Sequence, residues 1–365
     1  MSKRQKLSYV QLQDLPDEVI LKIFSYMDIR EILKCGQVSK RIRAVSTDES
    51  LWSKLNFFGG YVPYEFLENA VENGCRYLSL AFARLYHGKN SKMPLNLKYL
   101  EMSIEKHAFN QPGRLDVPKE LLYNCHSLQK LAMASWTLNS EDIDHIGENG
   151  QTLKVLNLAE VRLWAVYTNP NNFRKHKVKT TIAIQKLFER CVELNELNFS
   201  NLWDYQTELF TAIVDNLNPK ILKVDLSNNK FLKDIHVMTL VKRCTKITEL
   251  NLSYTSITNN SVDSIAKHAS LEKLDVSNTE IDSTALLQLG TIRTLKVLNC
   301  CLKDNKIDEN NLRKRVPQLS INKEDLFYIA TSYIVSNRKY VQWYKNGFWE
   351  IKAKQQELFT EKIQT

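Results

Sequence analysis

Ile247-Thr-Glu-Leu-Asn-Leu252, Leu271-Glu-Lys-Leu-Asp-Val276 and Leu295-Lys-Val-Leu-Asn-Cys300 share one arrangement: apolar, two residues, apolar, one residue, apolar. The arrangement recurs upstream at Leu97/Leu100/Met102, Leu128/Leu131/Met133, Leu153/Leu156/Leu158, Leu194/Leu197/Phe199 and Ile221/Val224/Leu226. Downstream it is expected at Val316/Leu319/Ile321, and Leu78 with Leu80 form a degenerate first copy. The opening positions are 31, 25, 41, 27, 26, 24, 24 and 21 residues apart. Most steps fall within or near the range of about 20–29 residues that leucine-rich repeats occupy. Between these runs lie helical faces such as Val262, Ile265 and Ala266, or Leu286, Leu287 and Leu289. Each unit is therefore one short strand and one helix. Because a single unit cannot bury its own apolar side, stacked units predict a curved solenoid over residues 75–321.

Around the strands, two kinds of polar position compete as ligand contacts. Asn157, Asn198, Asp225, Asn251, Asp275 and Asn299 stand between the second and third apolar residues, on the side facing away from the core. Ala134, Ala159, Ser200, Ser227, Ser253, Ser277 and Cys301 make the next column. Small, uniform residues of this sort give little specificity and are read as part of the repeat itself. Variety enters just after the strands, at Trp136, Glu160 to Trp164, Trp203, Tyr205, Phe231 and Tyr254. Aromatic side chains on such turns suit interface anchors, and Trp136, Trp164, Trp203, Tyr205 and Tyr254 are candidates for substrate binding. Packing on the neighbouring repeat is the competing reading.

The step of 41 adds roughly fifteen residues to a repeat of about 26. They fall near 162–181, an expected inserted loop at the solenoid rim that includes Arg174-Lys-His-Lys-Val-Lys179. That basic run is open between a solvated segment, a nuclear-import signal and a contact for an acidic partner. Beyond the repeats, residues 322–365 carry Phe327, Tyr328, Tyr333, Tyr340, Trp343, Tyr344, Phe348, Trp349 and Phe359. So many aromatic side chains need burial to offset their ordering. A C-terminal cap over the last repeat, or a tail across the concave face, would supply it, with Trp343 and Trp349 as further binding candidates.

Upstream, Leu15-Pro-Asp-Glu-Val-Ile-Leu-Lys-Ile-Phe24 opens with Pro and two acids, as a helix start should. Val19, Ile20, Ile23, Phe24 and Met27 follow at helical spacing as one broad apolar face. Asp28 and Glu31 restart a second helix, Val38, Ile42 and Val45 mark a third, and Leu51, Trp52 and Leu55 close the segment. About forty residues cannot easily bury all these apolar groups internally. Together with Val38-Ser-Lys-Arg41 and Asp48-Glu-Ser-Leu-Trp52, the pattern resembles the F-box motif over Leu12 to Asn56. One departure is Ile42, where many F-boxes carry Trp.

The chain is thus identified as resembling the F-box and leucine-rich-repeat proteins. The resemblance implies docking on a Skp1-type adaptor, and through it on cullin and RING subunits. Leu15, Pro16, Ile20, Ile23, Phe24, Leu33 and Val38 match motif positions of that docking surface or its support. It further implies a protein substrate held by the repeats for ubiquitination and proteasomal degradation. Leu286 to Lys296, Pro317 to Asn322 and Trp349 to Lys352 resemble one branch of the family. In that branch the tail returns along the inner face, and phosphorylated cell-cycle inhibitors are held with a small accessory subunit. An F-box scaffold or inhibitor that delivers no substrate is the alternative.

The expected fold class is α followed by α/β, with a three-helix F-box leading into a solenoid of strand–helix units. The expected divisions are a flexible basic N-terminus (1–11), the F-box (12–56), a linker (57–74), the solenoid (75–321) and the cap or tail (322–365). A hydrophobic content of 43% and charged content of 25% suit a globular protein. The net charge of +9 is spread along 365 residues, with no finger or aromatic-basic motif, so no nucleic acid is expected. No apolar run of membrane length and no secretory leader is read, which predicts a nuclear or cytoplasmic protein. Seven cysteines without a Cys-x-x-Cys pair give no zinc site, and Cys125, Cys191 and Cys244 read as buried structural thiols. No cofactor is expected. With no triad order or phosphate-binding glycine loop, the chain reads as a non-catalytic adaptor.

Overall fold

The computed structural model describes residues 11–57, 61–86, 96–104, 120–163, 170–202 and 207–301, and beyond them 312–314, 316–317, 319–322, 334–335 and 339–340. The first segment begins with a 3-10 turn, Leu12–Asp14, and continues as four helices rather than three. These are α1 (Asp17–Phe24), α2 (Ile29–Cys35), α3 (Lys40–Ser46) and α4 (Glu49–Trp52). Each of the last three starts at a side-chain cap that satisfies an otherwise orphaned amide. Asp28 accepts from Arg30 N at 2.8 Å while Glu31 reaches back to Asp28 N. Ser39 Oγ accepts from Ile42 N at 3.1 Å, and Asp48 accepts from both the amide and hydroxyl of Ser50. Those two bonds hold the Asp48 carboxyl below its usual range. Asp48 therefore starts a fourth helix where only a closing segment was expected. Ile20, Phe24, Ile32, Ile42 and Trp52 fill the centre, so the aliphatic Ile42 occupies the core position.

No linker follows. Strand β1 (Lys54–Asn56) comes one residue after α4 and is the first strand of the main sheet. Residues 57–74, expected to be a connector, instead contain β2 (Tyr61–Pro63) and α5 (Tyr64–Glu72). Leu67 and Ala70 of that helix are fully buried. Phe66 stacks on Trp52 at 5.8 Å and meets Phe57 edge-on at 5.4 Å. The sequence hid this unit because its repeat pattern is incomplete, and its apolar residues divide between two small elements. The core of the helical module and the core of the first repeat are one cluster.

The strands that follow are β3 (Tyr77–Ser79), β4 (Arg84–Tyr86), β5 (Tyr99–Glu101), β6 (Lys130–Ala132), β7 (Val155–Asn157), β8 (Glu196–Asn198), β9 (Lys223–Asp225), β10 (Glu249–Asn251), β11 (Lys273–Asp275), β12 (Val297–Asn299) and β13 (Ser320–Ile321). β4 pairs with β2 apart from the others. The rest, with β1, form one sheet of 11 parallel strands in chain order, consistent with an α/β solenoid. A single column runs through it: Leu55, Leu78, Leu100, Leu131, Leu156, Leu197, Val224, Leu250, Leu274, Leu298 and Ile321. Parallel neighbours need a crossover between them. It is supplied by α6 (Glu120–Tyr123), α7 (Ser140–Glu148), α8 (Pro170–Arg190), α9 (Thr207–Asn216), α10 (Asp234–Arg243), α11 (Val262–Ala266) and α12 (Ser283–Leu289).

Two expectations shift. In the last repeat Ile321 aligns with Leu298, not with Cys300, so the assumed Val316/Leu319/Ile321 frame slips by two residues. A slip of two keeps the same side of a strand inward, which is why the pattern still looked regular. The inserted stretch near 162–181 is not simply a loop: from Pro170 onward it is the start of α8, a helix of 21 residues. Within 322–365 the structure describes an antiparallel pair, Ile334–Val335 (β14) with Lys339–Tyr340 (β15). The cap-or-tail assignment otherwise falls outside the described residues.

Leu55 is the point where module and solenoid share packing, so Leu55→Ala should cost about 2–5 kcal/mol, as for a buried Leu. Thermal denaturation should then show the helical module and first repeats melting before the remaining repeats. Unchanged, single-step melting would contradict the shared core.

Candidate protein-interaction surfaces

Helix α1 is apolar on two sides, because residues one position apart differ by about 100° around a helix. Ile20 and Phe24 point into the module, whereas Val19, Ile23 and, just past the helix, Tyr26 lie outside. The single broad face read from sequence is therefore two faces. Ile23 is 38% exposed and Val38, at the start of the α3 segment, 78%. Pro16 is exposed, while Leu15 and Leu33 are half-buried. Of the seven docking candidates, Pro16, Ile23 and Val38 present surface, Leu15 and Leu33 support it, and Ile20 and Phe24 are core. Arg41 fixes the entry of α1, donating to Asp17 Oδ1 at 2.8 Å and to the Leu15 carbonyl at 2.7 Å.

On the concave side, most of the polar column is buried rather than open, with Asp275 and Asn299 half-buried. Asn157, Asn198, Asp225 and Asn251 are almost fully enclosed. Asn198, Asp225 and Asn251 each accept from the amide and hydroxyl of the serine two residues on, as at Asn251–Ser253 (3.1 and 2.8 Å). Asn251 Nδ2 also donates to Asp225 Oδ2 at 3.2 Å. Burial pushes the Asp225 carboxyl up to about 6 despite these bonds. The column thus holds adjacent repeats in register.

A neighbouring column escaped the sequence reading: Lys130, then Val155, then the charged run Glu196, Lys223, Glu249 and Lys273, at the residue before the central apolar position. Lys223 Nζ lies 3.7 Å from Glu196 and 3.6 Å from Glu249, and Lys273 Nζ lies 3.7 Å from Glu249. Alternating charge sign at one repeat position was the available signal. Toward the first repeats the same column turns aromatic. Tyr77 and Tyr99 meet edge to face at 4.5 Å, with Lys54 and Lys130 over their respective rings.

The turns after the strands hold a recurrent left-handed residue: Phe82, Ser135, Glu160, Asn201, Asn228, Tyr254 and Asn278. Asparagine tolerates this conformation and an aromatic residue does so poorly. Side chains link the row, with Ser135 donating to Glu160, Asn201 to Glu160 at 3.1 Å, and Asn228 to Asn201 at 2.7 Å. Tyr254 stands next in the row at φ 56°, and is 55% exposed. It thus combines a strained backbone with an exposed aromatic side chain. Trp136 fares differently. It is buried, and its indole donates to the Met102 carbonyl, so it is a packing residue and no exposed anchor. Trp164, Trp203, Tyr205, Trp343 and Trp349 lie outside the described residues.

Cys75, Cys125, Cys191 and Cys244 are buried, and desolvation pushes each thiol up to about 12. Cys300 is buried and Cys301 exposed. Among the described residues no group of three or more His, Cys, Asp or Glu could hold a metal ion, and no helix is long and apolar enough to cross a membrane.

Comparison with known families agrees with this arrangement. Residues 86–356, well over half of the chain, match the SKP2 LRR domain family, and residues 12–57 match the F-box-like family. The chain belongs to the F-box/leucine-rich-repeat proteins with a SKP2-type repeat domain. Human F-box/WD repeat-containing protein 8 is 41% identical over 49 residues, a match covering 13% of this chain and 8% of that protein.

Two measurements check these surfaces. Native alkylation should label Cys301, then Cys35, and leave the four raised thiols untouched. Their labelling should stay flat from roughly pH 7 to 9, because a thiol with so high a pKa remains protonated there. Tyr254→Asn should raise stability by about 1 kcal/mol by relieving the left-handed strain, seen as a higher melting temperature. A lower melting temperature would mean that the Tyr254 ring contributes more to packing than its backbone costs.

Proposed function

We propose that this chain is the substrate-recognition subunit of a Skp1–cullin–F-box ubiquitin ligase. It binds the adaptor through its helical module and a protein substrate through its repeats, for ubiquitination and proteasomal degradation. The observation that carries the reading is the second apolar face of α1. A short helix with Val19 and Ile23 exposed, on a module that also exposes Val38, calls for a cover, and the F-box family match supports a Skp1-type adaptor as that cover.

The role is positional and non-catalytic. A substrate lysine is brought near a charged conjugating enzyme, raising its effective concentration without bond chemistry by this chain. Positioning of this kind benefits from a stiff connection, and β1 supplies one by joining the module directly to the sheet. The exposed Tyr254 on the turn side of the repeats is the described residue best suited to anchor a substrate or an accessory subunit.

Ile23→Asp with Val38→Asp should abolish co-purification with a Skp1–cullin complex while leaving melting unchanged. Phe24→Ala should instead unfold the module, at a cost of about 3–5 kcal/mol. Undiminished co-purification of the Ile23/Val38 variant would refute docking through this face. In reconstituted reactions, Tyr254→Asn should retain adaptor binding but lose substrate ubiquitylation. Full substrate ubiquitylation by that variant would remove Tyr254 from the site.

A further inference from the structure

Helix α8 is out of scale with its neighbours. It spans 21 residues, against 9 in α7 and 10 in α9. Its last turn lies level with theirs. Gly147 and Gly150, at the end of α7, sit against Arg190, where a Cβ on Gly150 would come 3.0 Å from the Arg190 backbone. Just past α9, Asn218 Nδ2 donates to the Val192 carbonyl at 2.8 Å. The surplus therefore projects from the other end, about 18 Å beyond the first turn of α7 and about 16 Å beyond that of α9 at about 1.5 Å per residue.

The charge of α8 sets it apart as well. α5, α7, α9 and α10 each carry an acid in the first turn, where the positive dipole end favours it, and α8 has none. The sequence of α8 supplies six cations, Arg174, Lys175, Lys177, Lys179, Lys186 and Arg190, against a single acid, Glu189.

The inner face of the helix is settled: Thr180, Ala183, Ile184, Leu187 and Phe188 are buried. On the outer face Val178 is 56% and Ile182 45% exposed, one turn apart, with exposed Lys179 and Lys186 beside them. An aliphatic centre with a basic margin has the layout of a protein interface. Sequence-independent nucleic-acid contact would favour aromatic platforms, and membrane adsorption a longer apolar face.

We propose that residues 177–186 of α8 form a docking face for an acidic segment of a partner protein that carries an aliphatic anchor. An incoming carboxylate cluster would be drawn by the excess of cations on α8, while Val178 and Ile182 receive the apolar side chain. This face is separate from the F-box surface and from Tyr254, and stands whether or not the chain delivers substrates.

The test uses the full chain and a fluorescent synthetic peptide of Glu and Leu, amphipathic as a helix, titrated at two salt concentrations. Binding should weaken with salt, and fall about tenfold or more with Lys177→Glu plus Lys179→Glu, and likewise with Ile182→Ser. Melting of the charge variant should stay the same, because neither Lys177 nor Lys179 is buried. Absence of peptide binding, or binding indifferent to both variants, would overturn the proposal. So would equal binding of a Glu/Ser peptide, or tighter binding of duplex DNA or phosphatidylserine vesicles.

Discussion

One column of side chains, Leu55 through Leu156 and Leu250 to Ile321, is the constraint on which the rest depends. Each member is buried beneath the next, and each parallel strand can reach its neighbour only by a crossover. The repeat therefore fixes strand, turn, helix and return in that order. It also fixes what is exposed: turns at the ends of the strands, the outer sides of the helices, and part of one concave column. Binding chemistry can be placed only there. Tyr254, the Lys223–Glu249 charges and the outer face of α8 all occupy positions that the column leaves free.

The first member of the column, Leu55, lies within the F-box match rather than the match to the repeat family. Trp52 packs on Phe66 and its indole donates to the Ser46 carbonyl at 2.8 Å, so α4 is tied to both sides of the junction. Apart from the buried F-box core, the module keeps an apolar face of its own. One end of the molecule thereby presents an apolar face while the same end is locked into the sheet. The proposed positional role calls for that pairing of stiffness with an uncovered surface.

Periodicity made the solenoid legible, because a three-position apolar spacing repeated at near-constant intervals is highly redundant. Where redundancy lapsed, reading failed for local reasons. Residues 57–74 divide a repeat between small elements, and the slip at Ile321 is invisible to a pattern with a period of two. Around 162–181, polar and basic residues resembled a loop because helices of that composition are rarely favoured alone. The candidate sites were less legible. Pattern could place Ile20 and Ile23 on one helix, but only packing separates core from surface. Trp136 and Tyr254 follow strands alike, yet one ring turns inward to Met102 while the other remains in solvent.

Amide hydrogen exchange at β1, with and without a Skp1-type adaptor, tests the central claim most directly. If the F-box and the repeats are one sheet-linked body, the amides of Phe57 and Tyr77, which donate to Ser79 and Ser53, should exchange as slowly as those of β5 and β6. That protection should be present before adaptor is added, and adaptor should change exchange chiefly in α1 and the start of α3. Fast exchange at this junction, slowed only by adaptor, would show a module hinged on the solenoid and contradict the account.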